Sequence, residues 1–147
     1  MLREALNAEH GTVERDDSGL HKIAVMTEHA LLLAVAVDRV AAAARTDDES
    51  VGYRLGRAVA RLEAALSTPE MFGRVAIAQT LRDLTPDLMD ILGTASSLPA
   101  GTDGAEYLFR LASPTGIYGG TLEVFRNMIA QHALGLGRPQ YAPPRRV

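Results

Sequence analysis

"IYGGTLEVFRNMIAQHALGLGR" (residues 117–138) decides how the rest of the chain is read. Two glycines stand directly before a run in which Leu122, Phe125, Ile129 and His132 fall on one helical stripe. A helix start leaves N–H groups without partners and carries the positive end of the dipole. Glycine just ahead of it lets a ligand approach the backbone with no Cβ in the way. Thr121 suits the N-cap, and Glu123 in the first turn suits the dipole. Two readings are open. Either Thr121 and Glu123 meet a ligand, or the glycines form a plain turn feeding a capped helix.

Working outward, the chain reads as helix throughout. Leu20 to Arg45 holds no proline and no internal glycine, so it predicts a long first helix. Its middle, "ALLLAVAV" (30–37), is apolar all round, which suits burial on most sides or a place between subunits. "TDDES" (46–50) is a turn with several capping residues. Val51 to Leu66 predicts a second helix, with Tyr53, Leu55, Val59, Leu62 and Leu66 as its apolar stripe and Arg54, Arg57 and Arg61 as either a solvated face or one that meets an acidic partner or a phosphate.

"STPE" (67–70) marks the start of a third helix, with Ser67 or Thr68 as N-cap and Pro69 at the first position, running to Leu92. Thr85, Pro86 and Asp87 imitate a second helix start, so a kink or break is expected near residue 85. Residues 94–104 read as loop, 105–112 as two turns of helix, 113–120 as loop and 121–134 as the last helix. No segment shows strand alternation. The expected fold is all-α: an antiparallel up-down four-helix bundle over residues 20–138. A polar segment (1–19), with a short helix at 2–8 and Ser18 as a cap, precedes it, and a Pro/Arg-rich tail (139–147) follows.

A chain of 147 residues fits one domain, and its 47% hydrophobic content is enough for a core. A net charge of −3 argues against nucleic acid or an anionic membrane as the main partner. The absence of cysteine removes disulfides, thiolate metal sites and a cysteine nucleophile. The N-terminus lacks the layout of a signal peptide, and the apolar run Ala30 to Val37 is far short of the roughly 20 residues of a membrane span. A cytoplasmic protein is expected. His10, His21, His29 and His132 form no metal-ligand spacing, so no metal is expected, and His132 reads as a core or interface histidine.

The opening stretch resembles the C-terminal signature of the acyl-CoA dehydrogenases. Tyr118, Gly120, Thr121, Glu123, Arg126, Ile129, Ala130, Leu134, Gly135 and Leu136 match its pattern. Upstream, "EHALLLAVAVDRVAAAA", "YRLGRAVARLEAAL" and "VAIAQTLRDLTPDLMDILG" are similar in order to that family's first three bundle helices. The resemblance implies an FAD-dependent acyl-CoA oxidoreductase domain. It places Thr121 and Glu123 against the flavin nucleotide and Gly120 near the acyl thioester.

The departures are as informative. The family's N-terminal helical domain and middle β-domain have no counterpart here, and they supply most of the flavin and acyl-CoA pocket. At the position where many members carry the glutamate that removes the α-proton stands Gly119, which has no side chain to act as a base. Some members carry the base on the first bundle helix instead. Glu28 is the one carboxylate in that helix before the apolar run, and burial beside Val25, Leu31 and Leu32 would raise its pKa for the task. The competing reading puts Glu28 in solvent.

Three functions follow as expectations. The first is a truncated acyl-CoA dehydrogenase-like protein that completes a flavin site with a larger homologous subunit. The second is a redox-inactive bundle that binds or transforms an apolar acyl or polyketide-like ligand. The third is a structural homo-oligomer with the apolar first helix as its seam.

Overall fold

The computed structural model describes residues 26–45, 47–98, 101–102 and 104–137, apart from the side chains of Glu70 and Met71. The expected helix at 2–8, the Ser18 cap and the tail 139–147 lie outside the described residues. Among the described residues there are five α-helices: α1 (Thr27–Ala43), α2 (Glu49–Leu66), α3 (Glu70–Leu92), α4 (Ala105–Thr115) and α5 (Leu122–His132). A 3-10 turn, Gly93–Ser97, follows α3. Among the described residues there is no strand, so the fold is all-α.

Each helix has a local reason to start or stop. α1 begins at Thr27, after Met26, which lies outside helical backbone at φ −91°, ψ 44°; the expected start at Leu20 lies outside the described residues. α2 is capped by Asp48, whose carboxylate accepts from the Ser50 and Val51 amides at 2.8 and 3.4 Å. The hydroxyl expected to open α3 is spent on the helix before it: Thr68 Oγ1 donates to the Ala64 carbonyl at 2.8 Å, and Pro69 takes the N-cap position. Gly93, at φ +57°, ends α3.

The break expected near residue 85 is absent. α3 runs unbroken through Pro86. Proline removes one backbone donor, here the one that would reach the Arg82 carbonyl. Leu81, Leu84 and Leu88 are fully buried on either side of it, while Pro86 itself faces outward. Each such leucine contributes about 1.5–3 kcal/mol of burial, which outweighs one lost bond. Thr85 is no cap; it is buried, and its hydroxyl donates to the Leu81 carbonyl at 2.9 Å. α4 likewise runs past Ser113 and Pro114 to Thr115, three residues beyond its expected end, and Thr115 Oγ1 donates back to the Leu111 carbonyl at 2.6 Å.

α3 is the hub and packs against α1, α2, α4 and α5, while α1 also meets α2 and α4. The core joins Leu33, Val37 and Val40 of α1 to Leu55 and Leu62 of α2, the α3 leucines, and Leu108 and Leu122. On α2 the expected stripe is corrected. Tyr53, Val59 and Leu66 are exposed, and the buried face is Leu55, Ala58, Leu62 and Ala65. The arginines of that face are not merely solvated. Arg54 donates to the Asp87 carboxylate at 3.0 Å and to Asp90 at 3.3 Å, Arg57 pairs with Asp87, and Arg61 pairs with Asp83. Partners fall in number on α3 as they rise on α2, so these two helices are antiparallel.

Asp87 sits at the centre of this ladder. Burial opposes its ionisation, but hydrogen bonds from Arg54 and Arg57 outweigh that cost, and its carboxyl lies below the ordinary range. Among the described residues no helix is long and apolar enough to cross a membrane.

Candidate functional site

The twin glycines join α4 to α5 and need to be glycines. Gly119 has φ +71° and Gly120 φ +131°. The first lies in the left-handed region, and the second in a region closed to side-chain-bearing residues. A Cβ on Gly120 would also lie 3.3 Å from Phe125 Cζ, an atom of the helix that the turn leads into. Part of the demand for glycine is therefore met inside the chain. The turn is closed by short bonds: Ile117 and Tyr118 amides donate to the Pro114 carbonyl at 2.9 Å each, and the Gly120 amide to the Ile117 carbonyl at 3.2 Å.

α5 starts as the sequence predicts. Thr121 is its N-cap, and its hydroxyl accepts from the Val124 amide at 3.4 Å. The Leu122 amide donates to the Gly116 carbonyl at 3.2 Å. Glu123 turns its carboxylate back on the helix start. Its carboxyl is held below its usual value, first by its own backbone N–H, then by the Thr121 hydroxyl, with Arg126 and Arg82 adding to the effect. The Leu122 and Val124 amides of α5 thus have partners within the chain. Gly119, Thr121 and Glu123 are exposed and Gly120 is half-buried, so the junction is an open edge rather than an enclosed pocket.

Two groups that sequence reasoning did not connect converge here. Tyr118 Oη lies 2.9 Å from His29 Nε2, which ties the start of α1 to the junction. Arg74 of α3 lies beneath the turn, 4% exposed, with Nη2 donating to the Tyr118 carbonyl at 2.6 Å and the Thr115 carbonyl at 3.3 Å. Burial lowers its pKa from the usual arginine value, and Tyr118 opposes that shift. Nothing in the local pattern "FGRVA" (72–76) marks Arg74 as buried. The cue lies in its contacts, which come from residues more than 40 positions away.

The first helix brings Glu28 into the same neighbourhood, one residue from His29. Glu28 is exposed in the first turn of α1, and Leu31, expected to bury it, is 57% exposed. Val25 lies outside the described residues. The burial that a base at Glu28 requires is not provided by its neighbours on α1. His132 is exposed at the end of α5, not in the core as the stripe suggested, while Leu122, Phe125 and Ile129 are buried as expected. Among the described residues no cluster of three or more His, Cys, Asp or Glu is placed to hold a metal ion.

Away from the junction, a shallow apolar cleft of about 400 Å³ runs between α3 and α5, lined by Phe72, Val75, Ala76, Arg126, Ile129 and Leu134. No family model matches the chain, and neither does any curated protein or solved structure.

Proposed function

We propose that this chain is an acyl-CoA dehydrogenase-like domain, an antiparallel up-down four-helix bundle, that does not run flavin-dependent desaturation alone. It supplies one wall of a flavin site completed by a larger homologous subunit. The observation that carries this reading is the open junction. Thr121 offers a hydroxyl and Glu123 a carboxylate at the solvent edge of a helix start. These groups fit an FAD as hydrogen-bonding contacts along one side only. The flavin, when bound, supplies the hydride acceptor. What this chain adds is position: a rigid glycine turn, with Gly120 beside the acyl thioester.

Removal of an α-proton needs a base, and the chain's own residues support its absence. Gly119 has no side chain at the position where the related signature carries a glutamate, and Glu28 is exposed. A carboxylate open to water lacks the buried setting in which a carboxylate serves as the base of that step. The partner then brings the base, as well as the remaining walls.

Reconstitution tests this. The chain is mixed with FAD and with a larger acyl-CoA dehydrogenase-like protein encoded beside it, then separated by size. A yellow complex containing both chains is expected. Separate elution of the two proteins, with no flavin on this one, overturns the proposal. The apolar cleft between α3 and α5 favours a second reading, in which the protein binds an apolar acyl or polyketide-like ligand without redox chemistry. Saturable binding of a fluorescent fatty acid by the chain alone, lost on Val75→Asp, would support it. The exposed Leu31 and Val35 of α1 favour homo-oligomerisation through that helix, and the mass in solution decides that point.

A further inference from the structure

Arg74 is the only charged residue among the buried polar residues described. A buried cation ordinarily takes a carboxylate partner, because an uncompensated charge away from water is costly. Arg74 takes none. Its Nη2 is shared between the Thr115 and Tyr118 carbonyls. Its Cζ lies 5.0 Å from the centroid of the Tyr118 ring and 5.1 Å from that of Phe125. Its Nε is buried with no hydrogen-bond partner.

The groups that hold the charge share one feature. Thr115 is in the last turn of α4, where carbonyls lack helical partners and the dipole is negative. Tyr118 belongs to the turn, and Phe125 to the first turns of α5. Ring faces carry negative quadrupole density and attract a cation within about 6 Å. Every compensating group among the described residues therefore lies on the segment that enters, forms or leaves the junction.

We propose that Arg74 is the positioning residue of the twin-glycine junction. Its guanidinium, set between the Tyr118 and Phe125 rings and bonded to the Thr115 and Tyr118 carbonyls, fixes the path of residues 115–125. Both glycines lean on this stack. The Cβ position of Gly119 points to Arg74 Nη2 at 3.9 Å, and that of Gly120 to the Phe125 ring at 3.3 Å. The Tyr118 hydroxyl carries the connection on to His29 of α1. Only a planar, delocalised cation serves two ring faces and two carbonyls together; a lysine ammonium is a point charge without that plane. What the junction is for rests on the function proposed above. How it is held does not.

The test is amide exchange and side-chain NMR on the isolated chain, with no flavin and no partner, so its failure is distinct from failure of that function. In the native protein the Arg74 Nε–H resonance is expected away from the free-arginine position, shifted by the two rings, and to exchange at least tenfold more slowly than that of exposed Arg45. In Arg74→Lys, the Gly120 and Leu122 amides, bonded to the Ile117 and Gly116 carbonyls, are expected to exchange at least tenfold faster. The α2 amides of Ala58 and Leu62 are expected to keep their rates. Tyr118→Leu removes one ring and keeps the carbonyl, so a smaller acceleration at the same two amides is expected. Unchanged protection of Gly120 and Leu122 in Arg74→Lys overturns the proposal, and so does an equal loss across junction and α2. Should Arg74→Lys not fold, the native resonance decides: a free-like shift with fast exchange overturns it.

Discussion

Gly120→Ala adds a single methyl group at the point where the junction is tightest. Its φ of +131° lies in a region that costs a side-chain-bearing residue about 1–3 kcal/mol. The new methyl would stand 3.3 Å from Phe125 Cζ and 3.4 Å from Cε2. Phe125 has little room to yield, being 4% exposed with Arg74 against its face. The two effects together cost about 2–3 kcal/mol. Gly119→Ala is the control. Its φ of +71° also strains a side chain, but its nearest neighbour is Arg74 Nη2 at 3.9 Å, an ordinary contact. That change costs about 1 kcal/mol. For a domain of this size 1 kcal/mol is worth roughly 4 °C in Tm. Thermal unfolding followed by circular dichroism is thus expected to show a loss of about 8–12 °C for Gly120→Ala and about 4 °C for Gly119→Ala. Equal losses, or a larger loss at Gly119, refute the geometry of the turn.

The Arg–Asp ladder predicts a pH dependence. The Asp87 carboxyl is lowered in the folded chain, so the unfolded chain binds its proton at higher pH. The ladder's stabilisation is complete above the unfolded value, near pH 4, and is lost as pH falls through the folded one. Asp87→Asn is expected to cost about 1–2 kcal/mol at neutral pH and to flatten the acid limb of a urea-midpoint series taken from pH 7 to pH 2. Gly56→Ala places a methyl where no atom lies within 4 Å, in the interior of α2, and should raise stability by about 0.5–1 kcal/mol, read as a higher urea midpoint at unchanged slope. Leu84→Ala empties a fully buried site on the hub helix and should cost about 2–5 kcal/mol by the same measurement.

How far the sequence reveals this molecule depends on which forces set each feature. Caps and turns are local, so Asp48, Thr121 and the glycine pair are readable from a few neighbours. Pro86 and Pro114 are misread for the opposite reason. Local preference points to a break, and burial of leucines on both sides of Pro86 overrides it. The face of α2 is misassigned when only large apolar residues are counted. Ala58 and Ala65 lie on the buried side with Leu55 and Leu62, and Arg54 and Arg61 reach Asp83, Asp87 and Asp90 of α3.

At the site, the helix start is legible and its internal satisfaction is not. Whether Glu123 folds back on its own amide depends on φ/ψ at the cap and on Arg126 and Arg82, none of which periodicity reveals. Arg74 is hidden for a similar reason. Its described partners are carbonyls and rings brought in from more than 40 residues away, which no local pattern announces.

Amide exchange measured by mass spectrometry, on the chain alone and on its mixture with FAD and the larger subunit, tests the central claim most directly. If the glycine junction is the wall this chain lends to a shared flavin site, the peptide covering residues 117–124 slows in the mixture more than the exposed first turn of α2. If the two chains associate while that peptide exchanges at its free rate, the junction is not the shared wall and the account is contradicted.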